Sequence, residues 1–119
     1  MALQIEIKRV YDKPSPKDGA RILVDRLWPR GLKKEDASLD DWAKDLAPSP
    51  GLRKWFDHKP ERFAEFGRRY REELSNNPAV DDARPRSKQG HITLLYAAHD
   101  PACNHALVLA DYLRKAWAK

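Results

Sequence analysis

Residues 20–28 read ARILVDRLW: Ile22, Leu23 and Val24 run together without a polar break, and charge follows at once in Asp25 and Arg26. An unbroken apolar run of strand length suits a strand covered on both faces, as in the middle of an α/β sheet. The chain leaves it through Pro29-Arg30-Gly31, where proline ends strand pairing and glycine permits a sharp change of direction.

Upstream, LQIEIKRVY (residues 3–11) alternates apolar and polar positions at Leu3, Ile5 and Ile7, with a slip before Val10. That period of two predicts a half-buried strand. The intervening DKPSPKDG is rich in turn residues and too short for a crossover helix, so it does not join parallel neighbours. Downstream, Ser38 precedes Leu39, Trp42 and Leu46 at helical spacing, which predicts a helix capped by Ser38. Ser49-Pro50 repeats the start signal ahead of Leu52, Trp55 and Phe56. Pro60 opens a further helix with Phe63, Phe66, Tyr70 and Leu74 on one stripe. Its opposite face mixes Arg68, Arg69 and Arg71 with Glu65, Glu72 and Glu73 and reads as solvated. Asn76-Asn77-Pro78 stops it, and residues 79–90 read as a short helix or turn.

HITLLYAA (residues 91–98) has strand length and composition. Asp100-Pro101 then reads as a cap with proline in the first turn, ahead of a helix whose apolar stripe is Ala106, Leu109, Ala110, Leu113 and Trp117. These elements predict an α/β fold. Residues 1–119 form a single compact domain with a small mixed sheet of three or four strands and helices packed on its faces. The strands at 20–28 and 91–98, joined by a long helical crossover, are parallel.

A net charge of +5 raises the question of nucleic acid, but the charges are spread, 13 basic against 10 acidic in residues 1–60 and 10 against 8 in residues 61–119. No basic block exists for a phosphate backbone to track, so an evenly mixed surface is the reading. The first residues lack a secretory pattern and no apolar stretch has the length of a membrane span. Cys103 is the only cysteine, which excludes an internal disulfide and fits a reducing cytoplasm.

Ligands of such sheets bind beyond the carboxyl ends of the strands, here residues 25–31 and 97–105. The expected pocket uses Asp25, Arg26, Arg30, Arg53, His58, Tyr96, Asp100, Asn104 and His105, with the start of the last helix favouring a small anion. The competing reading of Asp25 and Arg26 is an ion pair with each other. Trp28, Trp42 and Trp55 read as core, with pocket walls as the alternative. Cys103 falls in the third position of the expected last helix, where free amides favour a thiolate, yet nothing around it forms a phosphate loop or a redox pair, so it reads as half-buried. His99, Cys103 and His105 are zinc-ligand types without zinc spacing, and no P-loop, nucleophile elbow or dinucleotide glycine pattern occurs. No metal or cofactor is expected. The alternatives to a small-molecule or anion-binding domain are a nucleic-acid-binding module and a protein-interaction domain without catalysis.

The segments RVYD, GARILVDRLWPRGL, LAPSPGLRKWFDH and HITLLYAAHDPACNHALVL, in that order, resemble the YeaO-like proteins of domain of unknown function 488 over nearly the whole chain. The resemblance implies a compact bacterial α/β domain of cytosolic character and brings no activity, substrate or cofactor with it. Other branches show Cys-His-Arg where this chain has Asn104, His105 and Ala106, so a thiol or metal role does not transfer.

Overall fold

The computed structural model describes residues 4–118; Leu3, read as the first strand residue, lies outside them. The sheet is built around β4 (His91–Tyr96), which pairs with β1 (Gln4–Arg9) on one side and β2 (Ala20–Leu23) on the other. A two-residue β3 (Asp41–Trp42) extends the far edge of β2. The strand order is β1-β4-β2-β3. All four residues of β2 are buried, as are five of the six in β4, so the two apolar runs occupy the two interior positions.

All three strand pairings are parallel, where the sequence suggested a mixed sheet. The premise that β1 and β2 cannot be parallel neighbours holds; they are parallel without being neighbours, because β4 lies between them. Register explains why no helix is needed. Ile5 and Ala20 both stand opposite Ile92, so residues 10–19 must return about four residue rises, roughly 13 Å, and cross two strand spacings, roughly 10 Å. Ten extended residues reach about 33 Å. The loop includes one 3-10 turn (Pro16–Asp18), whose start is closed by a reciprocal capping box between Ser15 and Asp18, and it crosses β4 closely: Thr93 Oγ1 donates to the Asp18 carbonyl. Gly19, at φ 66°, has no room for a Cβ, which would lie 2.3 Å from the His91 carbonyl oxygen.

Strand alternation sorts the core into two layers. Ile5, Ile22, Ile92 and Leu94 face one side, where Leu52, Phe56, Phe66, Tyr70, Leu74, Leu109 and Leu113 from the helices cover them. These helices are α2 (Pro50–Phe56), α3 (Phe63–Ser75) and α5 (His105–Ala116); α4 (Pro78–Ala83) adds Val80. On the other side Val10, Leu23 and Leu95 meet Trp28, Leu32, Leu39 and Trp42. That layer comes from β3 and from the loops on either side of the one-turn α1 (Lys34–Ala37).

The helix expected from Ser38 is not formed. Ser38 instead ends α1 in a left-handed conformation (φ 48°). Beyond it, Asp40 N–H donates to the Arg21 carbonyl, the Asp40 carboxylate accepts the Arg21 N–H, and Asp41 and Trp42 pair with Ile22 and Leu23. The exposed edge of β2 offers backbone partners and the second core offers a site for Trp42, so tertiary pairing overrides a local helix signal. A 3-10 turn (Lys44–Leu46) follows.

Candidate functional site

The carboxyl ends of β2 and β4 open into one cavity of about 590 Å³, within the usual range for small-molecule sites. Asp25, Arg26 and Leu27 line it from β2, Ala97, Ala98, His99 and Asp100 from β4, Asn104 and His105 from the start of α5, and Ala47, Pro48, Arg53, Phe56, His58 and Phe66 from the crossover. Seven of the nine residues expected from the sequence are in this wall.

Asp25 fastens the rim together. Its Oδ2 accepts the Ala97 N–H at 3.1 Å, its Oδ1 lies 3.0 Å from His105 Nε2, and its backbone carbonyl accepts the Trp42 indole N–H at 2.7 Å. His105 Nε2 also faces the Val24 carbonyl oxygen at 3.1 Å. Two oxygens around one ring nitrogen require that nitrogen to carry the proton. The hydrogen bond runs to Val24, which leaves Asp25 Oδ1 as a close neighbour without a hydrogen bond of its own.

Arg26 does not pair with Asp25. Its Nη2 makes only two long contacts, 3.3 Å to the Ala47 carbonyl and 3.4 Å to that of Pro48, and no ion pair forms to it among the described residues. Three buried side-chain polar atoms among the described residues lack a hydrogen-bond partner, and two of them, Arg26 Nε and Asp25 Oδ1, belong to this cavity. Arg53, exposed on α2, adds a second guanidinium at the wall, and His58 sits in a left-handed turn (φ 54°) with its ring 6.4 Å from that of Phe56.

Arg30 and Tyr96 lie apart from the cavity. Trp28 turns into the second core and donates to the Leu32 carbonyl, and Leu32 N–H closes a turn onto Pro29. This carries Arg30 away, exposed, with its carbonyl accepting the Tyr11 hydroxyl. Tyr96 follows Ile92 and Leu94 on the helix-covered face and is 3% exposed; burial pushes its phenol up from the ordinary value.

The last helix begins later than Asp100-Pro101 suggests. Asp100 Oδ1 accepts the N–H groups of Ala102 and Cys103, which makes a turn, and the helix cap is Asn104, whose Oδ1 accepts the Leu107 N–H. Cys103 therefore precedes the helix. Burial and the nearby Asp100 raise its thiol pKa, against the lowering that a helical position would give. Among the described residues no group of His, Cys, Asp and Glu converges as a metal site.

Sequence reasoning missed Leu27, Phe56, Phe66 and the Ala47-Pro48 carbonyls. Phe56 and Phe66 stack on each other at 4.3 Å and are themselves buried core residues, so nothing in their apolar periodicity marks them as cavity floor. The tryptophans expected in the core pack against it: Trp28 and Trp42 meet edge to face at 5.4 Å in the second layer, and half-buried Trp55 packs against the helix-covered core with the guanidiniums of Arg62 and Arg69 over its ring. The arginines of α3 are paired outward, Arg68 to Glu65 and Glu72, Arg69 to Glu65 and Arg71 to Asp111.

A four-stranded parallel sheet with helices packed against it and a cavity at its strand ends makes this a small α/β domain. Residues 4–119 match the family described as the inactive DUF488-N3 subclade, and the chain belongs to that family. It is 47% identical over 113 residues to the uncharacterised protein YeaO of Escherichia coli, covering 94% of this chain and 98% of that one. It is 44% identical over 110 residues to an uncharacterised protein of Mycobacterium tuberculosis, covering 92% and 93%. No solved structure matches. No described helix is long and apolar enough to cross a membrane.

Proposed function

We propose that the strand-end cavity binds a small organic anion without turning it over, in a cytoplasmic protein. The observation that carries this reading is Arg26: a half-buried guanidinium with its Nε buried, no acceptor for that nitrogen and no carboxylate partner, beside a cavity. A buried donor left unmade costs about 1–3 kcal/mol, and a turn of the Arg26 side chain off its two long carbonyl contacts would let an anion in the cavity satisfy it. The family's description as inactive supports binding over catalysis. The largely apolar wall around Phe56 and Phe66 supports an organic body over a bare inorganic ion.

The nucleic-acid alternative has less support, because the α3 arginines that would meet a phosphate backbone are already held by Glu65, Glu72 and Asp111. The test is thermal stabilisation by a panel of carboxylates, phosphates and sulfate. A ligand at about ten times its Kd stabilises the folded state by about 1.4 kcal/mol, a rise of several degrees, and Arg26→Ala abolishes the rise. An unchanged response in Arg26→Ala, or no response to any anion in the wild-type chain, overturns the reading.

A further inference from the structure

We propose that anion binding in the strand-end cavity is coupled to protonation of His58 and His99, so that the site takes up a proton with its ligand and binds more tightly as pH falls from about 8 to about 5.5. This rests on the anion-pocket reading above and adds its regulation.

The first observation is where the imidazoles are. The chain has four histidines, and three of them, His58, His99 and His105, line this one cavity. The fourth, His91, begins β4 at the opposite end of the sheet. Imidazole is the side chain that ordinarily changes charge between about pH 5 and 8. The fixed charges of the wall cancel, Arg26 and Arg53 against Asp25 and Asp100. Histidine protonation therefore sets the sign of the cavity, which gains a positive charge with each ring that takes its second proton.

The second is that the three rings are not equivalent. His105 faces the Val24 carbonyl oxygen and has Asp25 Oδ1 3.0 Å away, so a charge on that ring is answered within the protein. His58 and His99 are exposed and make no hydrogen bond or ion pair among the described residues; the ring of His58 meets only that of Phe56. The charged groups around them come in opposite pairs. Asp57 and Lys59 flank His58, with Arg53 of α2 in the same wall. Asp100 follows His99 and gives its Oδ1 to the N–H groups of Ala102 and Cys103, while Arg9 of β1 reaches the carbonyls of Ala97 and Ala98 just before it. Neither ring has a carboxylate of its own, so an anion in the cavity is the partner that favours its charged form.

The third is the backbone that carries His58. Asp57 and His58 are left-handed in succession, at φ 50° and 54°, a conformation uncommon outside glycine and stored where the surroundings enforce it. This turn ends α2 and sets His58 in the cavity wall. Glycine takes the same conformation without strain, so His58→Gly removes the ring and spares the turn.

The experiment is titration calorimetry of the purified full chain with benzenesulfonate, a monoanion throughout this range, and with neutral benzenesulfonamide. The Kd of the sulfonate is expected to fall about tenfold from about pH 8 to about pH 5.5, and that of the sulfonamide to stay constant. At about pH 6.5 the sulfonate heat is expected to vary with the ionisation enthalpy of the buffer in the sense of proton uptake. The double variant His58→Gly/His99→Ala is expected to lose the pH dependence, and His91→Gln, outside the cavity, to keep it. Sulfonate binding that is constant with pH, or a double variant that keeps the full dependence, overturns the coupling and leaves the anion pocket standing. No sulfonate binding at any pH, or a sulfonamide that binds as tightly as the sulfonate throughout, overturns both.

Discussion

Asp25 Oδ1 and His105 Nε2 stand 3.0 Å apart, and through this contact the end of β2 is fixed to the first turn of α5. The same carboxylate holds the Ala97 N–H with its other oxygen, so one side chain joins three segments that converge only in the folded chain. Asp25→Ala removes the acceptor from Ala97 and the carboxylate beside His105, with an expected loss of about 1–3 kcal/mol in urea denaturation at unchanged m-value. Asp25→Asn keeps an oxygen for Ala97 and is expected to lose less. Equal losses in the two variants would show that the Ala97 hydrogen bond contributes nothing.

Acid sensitivity is expected to centre on Asp18, at the opposite end of the sheet. Burial by itself would push its carboxyl up, but the Ser15 N–H, Lys8 and Arg21 outweigh burial and hold it below the ordinary carboxylate value. A lowered folded-state pKa gives stability that is complete above the unfolded value near 4 and is lost as pH falls through the folded one. Thermal melts are therefore expected to decline from about pH 5 downward. Asp18→Asn is expected to flatten that decline and to cost about 3 kcal/mol at neutral pH, because Arg21, only 5% exposed, loses its charge partner. Glu65 is also held down, to about 2, by Arg68 and Arg69, but it lies on the surface. Salt at about 0.5 M screens its share and leaves most of Asp18's.

What was legible in the sequence were features whose cause is local. Ile22-Leu23-Val24 and HITLLY announce interior strands by composition, and Ser49 announces α2 because its side chain does cap Leu52 N–H. The stripes of α3 and α5 are read correctly because a period of 3.6 survives any tertiary arrangement. Strand order was not legible, since the insertion of β4 between β1 and β2 depends on pairings more than 70 residues apart in the chain. Ser38 and Asp100 misled for one reason: each is a residue type that caps helices, and each is used here in another turn. In the site, the strand-end rule placed Asp25, Arg26, Asn104 and His105 together. It failed at Arg30, because the burial of Trp28 on the opposite face decides where that loop goes.

Gly19 tests the tight crossing of the first loop beneath β4. At φ 66° and ψ −137° the backbone lies where side chains are strained, and a Cβ would overlap the His91 carbonyl. Backbone has no flexible end to move aside, so Gly19→Ala is expected to cost at least about 2–3 kcal/mol. Gly31→Ala provides the comparison: it also has positive φ (75°) but nothing within 4 Å of the added carbon. A loss in Gly19→Ala no larger than in Gly31→Ala would show that the loop shifts freely.

Asn104 separates the role of α5's cap from that of its neighbours. The residue is 1% exposed and makes two bonds, accepting from Leu107 N–H and donating to the Asp100 carbonyl. Asn104→Ala loses both, and about 1–2 kcal/mol is expected from the cap. Asn104→Asp keeps the acceptor and adds a charge that a helix start favours. It also gives up the donor and sets a carboxylate without a cationic partner in a buried place beside Asp100. If the cap dominates, Asn104→Asp lies close to the wild type in chemical denaturation. If the Asp100 contact and desolvation dominate, it falls to the level of Asn104→Ala or below. The second outcome is expected, because a buried carboxylate left with the Leu107 N–H as its one donor and facing the Asp100 carbonyl loses more than the helix start returns.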